Sequence, residues 1–150
     1  VIATSVAYSL WFIAHLIVAL ATVVVIGGLR FTAQSALSTN DAEVLKVRFP
    51  DRTNWAARVV HFAPVTGLVL SVTGDHDVAL SQPWIAAGIA LYLALAFWLE
   101  ARVLPAERSL AHTVRHDPSL SHRDARELLR RIDVALVILA LILITMIVQF

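Results

Sequence analysis

Few side chains in this 150-residue sequence combine a reactive type with a telling position, and most of those that do are histidines. His15 and His61 each lie deep inside an apolar run. Ionisable groups are costly there and mark functional positions by default. Two histidines on neighbouring helices can ligate a haem iron from opposite faces. Depth opposes that pairing. His15 lies three residues from the middle of its run, and His61 three or four residues from the middle of its own, toward the opposite side. At about 1.5 Å of rise per residue the mismatch is roughly 10 Å. The two therefore read as separate candidate contacts for a quinone or a singly ligated haem b, beside the plainer reading of hydrogen-bonded interior histidines. His15 shares a helical face with Trp11 and Thr22, which suits a polar packing stripe.

His112 and His116 stand four apart on a predicted helix, a spacing that can hold zinc or another divalent ion, with Asp117 or His122 as a third ligand. A solvated helix face explains the same spacing. Asp75, His76 and Asp77 are consecutive, and adjacent residues in regular structure do not all face one ion. Cysteine is absent and Met146 is the only methionine, so disulfides, thiolate metal sites and a Met/Cys copper relay are excluded. No glycine-rich phosphate loop, HExxH or GxSxG motif is present.

The elements that must position these residues are membrane spans. The chain is 59% hydrophobic and 15% charged, with mean hydropathy +0.76. A soluble domain has about 45–50% apolar and about 25% charged residues. A spanning helix needs about 20 apolar residues. Four runs qualify: 7–29, closed by Gly27, Gly28 and Arg30; 55–73; 83–104, with Pro83 in the first turn and Pro105 at the far end; and 132–150. No Lys or Arg precedes Arg30, so the first run lacks the basic start of a secretory signal and reads as a retained helix. Val1 fits a non-standard start or a truncation equally.

All twelve basic residues fall in or beside two of the three connections. Five belong to the first (Arg30, Lys46, Arg48, Arg52, Arg58), none to the second, and seven, from Arg102 to Arg131, to the third. This predicts an all-α, four-span antiparallel bundle with both termini outside and two cytoplasmic connections that carry short helices. The net charge of +1 argues against nucleic acid. Asn40 or Asp41 is expected to cap a short helix through Phe49. Residues 105–115 are expected to leave the third span along the surface, and Ser121 with Asp124 resembles a capping box.

Close backbone approach, more than apolar contact, drives helix association in lipid. Ala63, Gly67 and Ser71 on the second span and Ala86, Ala90 and Ala94 on the third recur every four residues, which predicts tight packing of those two spans. Pro64 predicts a kink. The bulky fourth span is expected at the periphery. Arg58, Glu100 and Asp133 form a charge layer at the ends of the spans. They are read either as snorkelling to the interface or as an ion pair of Arg58 with Asp133 or Glu100.

The stretches LWFIAHLIVALATVVVIGGLRF, PVTGLVLSVTG, PWIAAGIALYLALAFWLEARVLP and ILITMIVQF cover most of the apolar sequence. Their layout resembles a family of small bacterial four-span membrane proteins defined only as a domain of unknown function. It is similar to the copper-resistance D membrane domain and, more remotely, to HemJ-type proteins. The resemblance implies a bacterial inner membrane, and the HemJ likeness implies His15 as a haem contact. The expected function is a non-catalytic accessory or anchor subunit that associates with other membrane subunits or with itself. The alternative is a haem- or quinone-binding redox protein using His15 or His61.

Overall fold

The computed structural model describes residues 2–39, 41–73, 82–117 and 121–148, and among them every regular element is a helix. Four helical stretches are long and apolar enough to cross a membrane: Val6–Ser35, Ala56–Thr73, Pro83–His116 and Ser121–Val148. The Asp75-His76-Asp77 motif, and Ser81, which the sequence offers as a cap for the third span, lie outside the described residues.

Helix α1 (Ile2–Ser35) runs through Gly27 and Gly28, where the sequence suggested an end. Glycine does not stop a helix whose only route to backbone hydrogen bonds in lipid is to continue. Helix α2 (Ala42–Arg48) is capped by Asp41, whose Oδ1 accepts from the amides of Glu43 at 2.9 Å and Val44 at 3.4 Å.

The second span opens as a 3₁₀ helix, Ala56–Phe62, and becomes helix α3 at Ala63–Thr73. Pro64 sits at this junction, so the expected kink takes the form of a change of helix type. Proline offers no amide to the carbonyl four residues back. That carbonyl, on Val60, instead accepts the three-residue bond from Ala63 that closes the 3₁₀ segment. The third span is helix α4 (Pro83–Trp98), a π-turn (Leu99–Val103) and helix α5 (Leu104–His116) in continuous succession. Pro105 therefore does not limit the span. Its ring would press on the carbonyl of Ala101 four residues earlier, and Ala101 lies within the widened π-turn. Helix α6 (Ser121–Val148) is unbroken.

Helix α6 is the centre of the packing, against α1, α4 and α5, which corrects its expected place at the periphery. The reason is a seam hidden inside its apolar run. Ser121, Ala125, Leu128, Ile132, Ala135, Leu139, Ile142 and Thr145 are buried, a three–four alternation along nearly the whole helix. Helix α1 answers with Thr22, Ile26, Leu29, Ala33 and Ala36 at the same spacing. Repeats of this kind let two helices interlock side chains along one face. On the third span the buried face reads Leu95, Leu99, Val103, Ala106, Leu110, Val114. The buried face continues through the π-turn, with Leu99 and Val103 both enclosed, and α5 packs on α6 beyond it.

Burial is uneven along the bundle. No side chain of α1 between Val6 and Ala21 is buried, whereas the charged end holds Phe49, Leu45, Leu110, Leu128 and Ile132 fully enclosed. The expected packing of the second and third spans on each other is not found. Helix α3 packs on α1 and α4 packs on α6, with no comparable contact between α3 and α4. Gly67 faces His15 of α1, and Ala86, Ala90 and Ala94 are all exposed. Chain adjacency suggested the partner; the seams of α1 and α6 determined it.

Candidate functional site

A 3₁₀ helix has three residues per turn, so side chains three apart eclipse one another. Arg58 and His61 therefore project from one face of the 3₁₀ segment, with Trp55 just before it in line. The guanidinium of Arg58 lies over the Trp55 ring, 4.9 Å from its centroid. It also donates two bonds to Glu100, from Nε at 3.0 Å and Nη2 at 3.3 Å. Glu100 belongs to the π-turn, a feature that recurs at functional sites.

His61 spans the gap between two side chains of the third span. Its Nε2 is 3.3 Å from Glu100 Oε1, and its Nδ1 is 3.2 Å from the Tyr92 hydroxyl. A neutral ring with its proton on Nε2 satisfies both, donating to the carboxylate and accepting from the phenol. Trp55, Arg58, Glu100, His61 and Tyr92 thus form one polar chain that bridges the second and third spans.

The other charges close the same end of the bundle. Arg30 donates to Asp133 at 2.7 Å and to Gln34 at 3.0 Å. Of the alternatives left open for Arg58, the structure places it with Glu100, and Asp133 with Arg30. Asn54 donates to both carboxylate oxygens of Glu107, at 2.9 and 3.2 Å, while its own Oδ1 accepts from the Ala57 amide. Trp98 donates to the Arg131 carbonyl at 2.8 Å, and Arg131 donates to the Arg102 carbonyl at 2.9 Å. Asp124 accepts from Thr113 at 2.6 Å, across to α5.

His15 lies elsewhere. Its Nδ1 is 2.8 Å from Thr66 Oγ1. The hydroxyl is also within reach of the Phe62 and Ala63 carbonyls, so the histidine donates and the hydroxyl passes its own proton to the helix. The ring rests on Gly67, where an added Cβ would meet Cε1 at 3.5 Å. Thr66 and His61 are five residues apart on one span, roughly 8 Å along a helix. The two histidines therefore meet different partners at different depths and do not face one another across a common gap. This arrangement does not fit a haem iron held between them. His61 would also have to release Tyr92 or Glu100 to ligate anything.

His112 and His116 stack ring on ring, 4.0 Å between centroids, and His116 Nδ1 bonds the His112 carbonyl at 2.9 Å. Among the described residues no third His, Asp or Glu joins them in a set suited to a metal. Also among the described residues, no buried side-chain nitrogen or oxygen lacks a partner, so no orphaned donor is aimed at an absent ligand.

Sequence reasoning did not single out Tyr92, Thr66, Trp55 or Asn54. Tyr92 had a usable signal, because it carries the only polar side-chain atom between Trp84 and Trp98. Compared with known proteins, the chain matches no family model, no curated protein and no solved structure.

Proposed function

We propose that this chain is a small multi-pass membrane protein that acts as a non-catalytic accessory or anchor subunit of a membrane assembly. One observation carries the reading. The stripe Ala86, Ala90, Ala94 lies exposed on α4, on a third span whose chain neighbour packs elsewhere. Small residues in lipid are where another helix approaches closely, and among the described residues no helix covers this stripe. The surrounding surface is apolar, with Ile89, Leu93 and Phe97 all exposed.

In this reading the four helices form an antiparallel bundle in a bacterial inner membrane, the charged end is cytoplasmic, and both termini lie outside. Support comes from the twelve basic residues gathered in two connections, and from the family resemblance of the layout. The partner is another membrane subunit or a second copy. The test is crosslinking in native membranes from single cysteines at Ala86 and Ala90, against a control cysteine at Val137 on α6. Capture of a second chain from the α4 sites alone supports the reading; equal or no capture contradicts it.

A second reading has its own observation. Tyr92, His61 and Glu100 are linked in series by hydrogen bonds, and a quinone carbonyl or the edge of a haem b would take the proton that Tyr92 now gives His61 or that His61 gives Glu100. An absorption spectrum of the gently extracted protein tests the haem version. A Soret band lost in His15→Ala or His61→Ala supports it, and a colourless preparation removes it.

A further inference from the structure

A groove of about 720 Å³ opens at the charged end between α5 and α6. Its α5 wall is built from Pro105, Ala106 and Ser109, whose small side chains leave the space open. Its α6 wall carries Arg123, Arg126, Arg130 and Arg131, with Asp124 and Glu127 among them. Spacings of three and four place Arg123, Arg126 and Arg130 along one side of the helix, and Arg131 lies about 100° round from Arg130.

The charges in the groove do not cancel. Glu127 accepts from both Arg130 and Arg131, the latter at 2.8 Å. Asp124 is engaged by Thr113. Four arginines thus face two carboxylates, and among the described residues neither Arg123 nor Arg126 has a carboxylate within ion-pair distance. The paired arginines are held in place by their partners, so the wall is both preorganised and net positive.

Depth identifies the ligand. The inner end of the groove is fixed by Arg131, which bonds the Arg102 carbonyl and whose own carbonyl accepts from Trp98. Those contacts lie where the apolar part of the third span ends, and the apolar run of α6 begins at Ile132. Indole rings favour this level of a bilayer. The headgroup layer is roughly 5–7 Å deep on each side. Arg126 lies five residues from Arg131, roughly 8 Å along the helix, and Arg130 is nearer still. Arg130 therefore stands within the headgroup layer and Arg126 at its outer edge. The groove therefore meets the bilayer at the phosphate level.

We propose that this groove binds the phosphate of an anionic membrane phospholipid, with Arg126 and Arg130 as its principal donors and Arg123 extending the positive wall outward. Guanidinium groups suit this role because their planar fork matches phosphate oxygens in pairs. The proposal needs only a bilayer around the spans, and it stands or falls separately from the subunit reading.

The test is native mass spectrometry of the detergent-solubilised full chain titrated with phosphatidylglycerol or phosphatidylcholine. Phosphatidylglycerol is expected to bind at least tenfold more tightly. Arg123→Gln/Arg126→Gln is expected to weaken it roughly 30-fold, from the contribution of each basic residue near an anionic surface. Arg123→Lys/Arg126→Lys keeps the charge and loses the fork, so it is expected to bind between the parent and the Gln variant, and its unchanged thermal unfolding serves as the control for folding. Equal binding of the two lipids overturns the proposal, as does a Gln variant that binds like the parent. Displacement of the lipid by millimolar inorganic phosphate also overturns it, because that result assigns the groove to a soluble anion.

Discussion

Glu100 accepts from Arg58 and bonds His61, and so joins two spans that each pack mainly on other helices. Removing its charge should therefore separate them. Glu100→Gln is expected to lower thermal stability in detergent, and a double-mutant cycle with Arg58→Gln should give a coupling of about 1 kcal/mol, within the range of polar pairs in membrane proteins. Additive single effects would mean that the pair snorkels and does not tie the helices together. Gly67→Leu makes the parallel test at His15. The ring has ordinary contact distance for a methyl group and no room for an isobutyl group, so the variant should be less stable than Gly67→Ala. Equal stability of the two would contradict the seating of His15 on Gly67. The charges at the ends of the apolar runs were legible in the sequence; their pairing was not. Which acid Arg58 meets depends on a 3₁₀ segment that eclipses it with His61 and on a π-turn that carries Glu100. Neither feature leaves a periodic trace in so few residues.

At the scale of the element, the four apolar stretches could be read directly, because length and composition suffice to define a span. The faces of those helices could not. In α6 every position from Val134 to Ile144 is apolar, so the sequence offers no contrast between buried and exposed sides. Ala135 and Ala140 look equivalent there, yet the first is fully buried and the second exposed. Ala135→Leu should cost about 1–3 kcal/mol by overpacking the seam, while Ala140→Leu should leave thermal stability nearly unchanged. Equal effects would contradict the seam. The small-residue stripes misled for a related reason: small side chains mark where a helix can approach, but not which helix does. Pro105 was over-read in the same way, as the end of its span. Pro64 and Pro105 neither break nor end their spans, because a 3₁₀ segment and a π-turn absorb them.

At the scale of the whole molecule, order is concentrated at the charged end. There α2 packs on α5 through Leu45 and Phe49, Arg115 donates to the Phe49 carbonyl at 3.2 Å, and α5 and α6 enclose Leu110, Val114 and Leu128. The middle of α5 and the first turns of α6 lie beyond the most apolar stretches, yet they should resist opening. Hydrogen exchange in vesicles is expected to be about tenfold slower at Leu110–Val114 and Ala125–Leu128 than in α2, whose two turns bury only Leu45. Fast exchange at both sites would mean that this end is held by lipid and not by its own core.

The opposite end has little internal packing, and its apolar faces and the Ala86, Ala90, Ala94 stripe remain available to neighbours. That contrast underlies the subunit reading. Its most direct test is the native mass of the chain extracted gently from its own membrane. The account predicts a complex heavier than the 16.4 kDa chain that dissociates when Ala90→Leu fills the stripe. A stable monomer that carries an activity of its own would contradict it.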